Sequence, residues 1–125
     1  MDNLSFNKQE MAAIIKLAKM MAAADGRLDK AELSMMSKEA LRFGITPDDF
    51  VSLLKLSDNI KTDELMATVL VMTNTQKRYI AAYLGTMMAI DGDIDDKEME
   101  LWQFVSLLFE LPTMTVLEAI EYMDN

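Results

Sequence analysis

The chain has 125 residues, enough for one domain with its own core and too few for two of ordinary size. It contains no cysteine and no histidine, which removes disulfides, thiol nucleophiles, zinc fingers and Ser-His-Asp triads, and leaves oxygen donors suited to hard cations. The net charge is −9 and falls entirely in residues 63–125, so nucleic-acid phosphates are disfavoured partners, whereas cations and basic protein surfaces are favoured.

The pattern along the chain is helical throughout. Asn7 is placed to cap a first helix, with Glu10 completing a capping box and Phe6 and Met11 forming a hydrophobic staple. Met11, Ile14, Ile15, Ala18, Met21 and Ala22 share one face, and Gly26 is the stop signal. Asp29 with Glu32 opens a second helix whose expected buried face is Leu33, Met36, Ala40 and Leu41, ended by Gly44. Thr46-Pro47 opens a third, stapled by Ile45 and Phe50 and continued by Val51, Leu53, Leu54 and Leu56. Thr62 is predicted to cap a short fourth helix through Leu65, Met66, Val69 and Leu70. A polar break at Thr73-Asn74-Thr75 leads into a long fifth helix with Ile80, Tyr83, Leu84, Met87 and Met88. Gly92 interrupts, Asp95 restarts a sixth helix through Trp102, Val105 and Phe109, and Pro112 separates it from a seventh with Val116, Leu117, Ile120 and Met123. Nothing reads as a strand. The expectation is an all-α, compact domain over residues 1–125, with about seven helices arranged as two pseudo-symmetric helix-loop-helix halves.

The N-terminal segment is polar and lacks the pattern of a signal peptide, and no apolar run is long enough to span a membrane. A cytoplasmic protein without direct membrane insertion is therefore expected.

The halves emerge from an internal repeat. A shift of 66 residues aligns residues of about 11–54 with about 77–120 without a gap, matching Ile14 with Ile80, Met21 with Met87 and Phe43 with Phe109. The strongest match is Asp25-Gly26-Arg27-Leu28-Asp29-Lys30-Ala31-Glu32 against Asp91-Gly92-Asp93-Ile94-Asp95-Asp96-Lys97-Glu98, a shared D-G-x-[LI]-D-x-x-E.

Helix-joining chemistry explains most of this loop. Gly26 and Gly92 suit a left-handed position after a helix, Asp29 and Asp95 suit an N-cap, and Glu32 and Glu98 complete capping boxes. Asp25 and Asp91 are the exceptions, because the end of a helix disfavours a negative charge. A divalent cation, calcium or magnesium, offers the other reading, since Asp91, Asp93, Asp95 and Glu98 crowd negative charge that an ion would relieve. The run matches the second half of an EF-hand loop. The earlier ligand positions hold Met21 and Ala23, or Met87 and Ala89, which argues against a conventional EF-hand.

The duplicated loop in an all-helical chain of this size resembles the tellurite-resistance TerB-like domain family. The resemblance rests on Ala24-Asp25-Gly26 with Asp29 and Glu32, and on Ile90-Asp91-Gly92 with Asp95 and Glu98. It implies a cytoplasmic stress-response module that binds metal through Asp25, Asp29, Glu32, Asp91, Asp95 and Glu98 and works with membrane-associated protein partners. Without cysteine the chain cannot itself reduce tellurite by thiol chemistry, so sensing or scaffolding is expected rather than catalysis. The alternative is a purely structural or protein-interaction module whose acidic loops are only helix caps.

Other features are read more blandly. The 13 methionines are expected to fill irregular core gaps, with an adaptable partner groove or soft-metal ligation by thioethers as the sharper alternatives. The sixth helix is apolar nearly all round, with Leu101, Trp102, Phe104, Val105, Leu107, Leu108 and Phe109. It is expected to be the central, most buried helix, the alternative being a face for a partner or a homo-oligomer. Lys77, Arg78 and Arg42 are expected to be solvated charges. No catalytic constellation stands out, so the chain is read as non-enzymatic.

Overall fold

The computed structural model describes residues 4–22, 29–90 and 94–124. Among these there are seven α-helices and no strand: α1 Lys8–Ala22, α2 Lys30–Arg42, α3 Pro47–Asp58, α4 Thr62–Leu70, α5 Asn74–Ala89, α6 Asp96–Leu108 and α7 Val116–Asp124. The chain is thus an all-α domain, as expected. No helix among the described residues is long and apolar enough to cross a membrane.

Local chemistry sets the helix starts. Asn7 Oδ1 accepts from the Glu10 amide at 2.7 Å while Glu10 Oε1 accepts from the Asn7 amide at 2.9 Å. The same reciprocal box joins Thr73 to Gln76 ahead of α5, and Thr115 to Glu118 ahead of α7. Thr46 Oγ1 accepts from the Asp49 amide, with Pro47 at the first helical position of α3. α4 departs from expectation: its N-cap is Lys61, which makes no side-chain cap, and Thr62 is already helical. There the Asp63 carboxylate accepts from the Glu64 amide in the first turn.

α2 and α6 begin and end at positions 66 apart and also finish alike. Phe43 and Phe109 occupy the C-caps, followed by Gly44 at φ 83° and Glu110 at φ 56°. The Ile45 amide then donates to the Ala40 carbonyl, and the Leu111 amide to the Ser106 carbonyl. This is the left-handed helix stop that glycine makes without strain. Glu110 adopts the same backbone with a side chain attached.

The core is built around α1 and α5, which pack on each other. α1 buries Met11, Ala12, Ala13, Ile14, Ile15, Leu17, Ala18, Met21 and Ala22, well beyond one stripe. α5 buries nearly its whole length from Lys77 to Met88. α3, α4 and α6 pack on α1, and α6 and α7 on α5.

Two devices hold the outer helices to this pair. Lys19 on α1 donates to the Leu54 carbonyl, Ser57 Oγ and Asp58 Oδ1 at the end of α3, each at 2.7 Å. Its ammonium holds the Asp58 carboxyl below the usual carboxylate range, mainly through that hydrogen bond. On α5, Gly85 lets Trp102 of α6 and Ala119 of α7 approach closely, and the buried Trp102 Nε1 donates to the Ala81 carbonyl at 3.1 Å.

An aromatic cluster closes one end of the core. Phe6 and Phe43 meet edge-on at 5.3 Å, and each lies 5.4 Å from Tyr79. The Tyr79 hydroxyl donates to Glu39 at 2.6 Å. Burial first, and then that bond, push its ionisation well above the ordinary phenol range; burial does the same to Tyr83.

The Gly85 contact makes a direct test. A Cβ there would lie 2.5 Å from Trp102 Cζ2 and 3.0 Å from the Ala119 Cβ. Gly85→Ala gains helix propensity but pushes its new methyl into Trp102 and Ala119, so a net loss of about 1–3 kcal/mol is expected. Chemical denaturation of both proteins measures it, and unchanged stability would mean that α6 and α7 sit more loosely on α5 than described.

Candidate functional site

The acidic loops are the first candidate. Asp25, Asp91 and Asp93 lie outside the described residues, as do Gly26 and Gly92. The remaining four acids are described, and they cap helices. Asp29 Oδ1 accepts from the Glu32 amide at 2.8 Å, and Glu32 Oε1 accepts from the Asp29 amide at 3.0 Å, a full capping box at the start of α2. Asp95 Oδ1 accepts from the Glu98 amide at 2.7 Å at the start of α6. No group of three or more acidic side chains among the described residues lies close enough to hold a metal ion. These four carboxylates therefore do not form a ligand set by themselves. A cation would need the acids of the two loops in addition.

Ile90, the residue before Asp91, lines a hollow of about 360 Å³ together with Ala31, Ser34, Met35, Lys38 and Glu39 of α2. Ile90, just after α5, thus shares a hollow with the outer side of α2, the helix that follows the first loop.

The second candidate is α6, and here expectation is overturned. α6 is not the central helix. Only Trp102, Val105 and Ser106 of it are buried. Phe104 is 57% exposed and Leu107 81%, with Leu108 exposed beside them. These residues follow a three- and four-residue spacing, so they form one apolar strip along the outer side of the helix. The sequence shows an all-apolar helix but not which neighbours cover it. α1 and α5 occupy the centre, which leaves α6 one side to bury. Leu41, Val51 and Leu117 are exposed as well, on α2, α3 and α7, against the expectation for Leu41.

A third location was not legible as a site. Lys77 was expected to be solvated, yet it is 9% exposed and counts among the buried residues of α5. The repeat alignment carries the available signal, because Lys77 aligns with Met11, a core position of α1. Arg78 is exposed, as expected, and Arg42 pairs with Glu39 at 3.3 Å.

Neither a family model nor a curated protein matches the chain. Among solved structures, it is similar to a protein of unknown function from Porphyromonas gingivalis W83. The two share 48% of residues with a TM-score of 0.87, over 100% of this chain and 95% of the other.

The caps carry a prediction of their own. Asp29→Ala or Asp95→Ala removes the acceptor for one helix-start amide and should lower stability by about 1 kcal/mol. Thermal unfolding with and without calcium measures both effects. An equal loss in either condition is expected if capping is the whole role of these aspartates, and a calcium-dependent loss would add a ligand role.

Proposed function

The chain belongs to the family of that Porphyromonas gingivalis protein of unknown function, and we propose that it is a non-enzymatic, TerB-like interaction module that docks a protein partner on the outer face of α6. The observation that carries this reading is the exposed Phe104–Leu107–Leu108 strip. Exposed large apolar side chains grouped on one helix face are the usual mark of a docking surface, whereas scattered ones are not.

Charge narrows the occupant. Each copy of the chain carries −9, so self-association would bring like charges together, whereas a surface with an apolar centre and a basic rim is attracted. The proposed partner is therefore a different protein presenting such a surface. In the TerB-like reading this is a cytoplasmic stress-response assembly in which the module senses or scaffolds.

The test uses a synthetic helix with a leucine face bordered by lysines, titrated into the full chain and followed by amide NMR. Saturable shifts along residues 100–111 are expected, weakened by salt and lost in the Phe104→Ser, Leu107→Ser double variant. That variant should remain folded, because both side chains are exposed. No binding, or binding that the double variant retains, would sink the reading. A wild-type dimer that this variant separates would assign the face to a second copy instead.

A weak divalent-cation site at the duplicated acidic loops is the second reading, supported by Ile90 sharing a hollow with Ala31 and Ser34 of α2. Its ligands would come from Asp25, Asp29, Glu32, Asp91, Asp93, Asp95 and Glu98, with calcium or magnesium as the ion. Titration of chelator-treated protein should shift the amides of residues 25–32 and 91–98 to saturation. An unchanged spectrum at millimolar cation would leave the loops as helix caps.

A further inference from the structure

The start of α5 and the end of α6 border an open cleft of about 490 Å³, whose lining includes Asn74, Lys77, Arg78, Gln103, Ser106 and Glu110. We propose that this cleft binds a small molecule carrying a carboxylate or phosphate group, with Lys77 and Arg78 as its charge partners. The proposal does not depend on the docking face of α6.

Lys77 is the central observation. The residue is 9% exposed and lines the cleft, and no hydrogen bond or ion pair among the described residues engages its ammonium. A buried lysine ordinarily pairs its charge or lets the head group reach water. Here the residue lines this open cleft. Arg78 adds a second cation on the next residue, and Lys97 is the only other one in residues 63–125. The N-terminal end of α5, which has no acidic residue in its first turn, opens at the same place.

The internal repeat acts as a control. A shift of 66 matches Lys77 with Met11, Arg78 with Ala12 and Ser106 with Ala40, and all three first-half residues are buried core. A hollow of about 330 Å³ occurs in the first half too, lined in part by Lys8, Gly44 and Ile45, which match Asn74, Glu110 and Leu111. The fold is therefore satisfied at these positions by apolar side chains. Folding alone does not account for Lys77 and Ser106 in the second half, which are buried where the first half buries Met11 and Ala40. Glu110 points the same way, because it takes a left-handed backbone where the first half uses glycine. With Glu110, Ser106 and Gln103 around the cations, the ligand that fits pairs its anionic group with a hydroxyl or amino donor.

The experiment titrates the full chain with inorganic phosphate and, separately, with lactate, followed by amide NMR. Saturable shifts confined to residues 74–78 and 103–113 are expected with at least one probe. Saturation by phosphate alone identifies the phosphate class, and by lactate alone the hydroxycarboxylate class; either supports the site. Lys77→Met installs the residue the first half uses and should weaken binding by at least about tenfold, the worth of one charge-assisted hydrogen bond. Its thermal midpoint should equal or exceed that of the wild type. Arg78→Gln, at an exposed position, provides a second weakening variant whose folding is not in question. No saturable shift with either probe, or equal affinity in both variants and the wild type, overturns the proposal.

Discussion

The structure depends on the contact between α1 and α5. Both helices are apolar around most of their circumference, which is the condition for a helix to sit inside a domain rather than on it. Ala12, Ala13, Ala81 and Ala82 are fully buried, and their small side chains let neighbouring backbones come close. Once these two helices occupy the centre, the others have only one side each to bury. α2 buries Met36 and Ala40, α4 buries Leu65 and Val69, and α7 buries Ala119. The exposed apolar residues of the outer helices follow from that geometry, because a central pair can cover only the inner side of each surrounding helix.

The way each central helix holds its neighbours shows how loosely sequence and packing are coupled. Lys19 and Gly85 align in the repeat, yet they act by opposite means. Lys19 reaches out and joins three oxygens at the end of α3. Gly85 withdraws its side chain so that Trp102 and Ala119 can fill the space. The first arrangement is polar and directional, and it depends on the charge of Lys19. The second is dispersive and depends on shape, with Trp102 satisfying its indole N–H on the Ala81 carbonyl. Neither residue could be exchanged for the other without rebuilding the adjoining helix.

Much of the secondary structure is legible in the sequence because helix starts are local events. Asn7–Glu10, Asp29–Glu32, Thr46–Pro47 and Asp95–Glu98 each announce themselves within four residues, and each caps a helix. Thr62 misleads for the same local reason: it has the right chemistry one residue too late, and Lys61 takes the cap position. Burial is less legible because it depends on distant neighbours. Leu41 fits the apolar face of α2 by spacing but is exposed, and Phe104 and Leu107 fit a central helix but are not in one. Periodicity states which residues share a face. It does not state whether another helix arrives to cover that face.

The candidate sites divide along the same line. The identities most visible between the two halves, Asp29 with Asp95 and Glu32 with Glu98, turn out to begin helices. Retention of a residue in both halves is what a shared folding requirement produces, since each half must start its own helix. A role peculiar to one half leaves the opposite trace: a position where the fold accepts an apolar residue and the other copy carries a charge. Lys77 against Met11 is such a position, and so is Glu110 against Gly44, where the second half keeps a side chain on a backbone that favours none. A search for repeated motifs passes over both, because neither repeats. Where a sequence pattern recurs within one chain, the shared residues therefore speak first for the fold, and the differences between matched core positions are the better guide to binding chemistry.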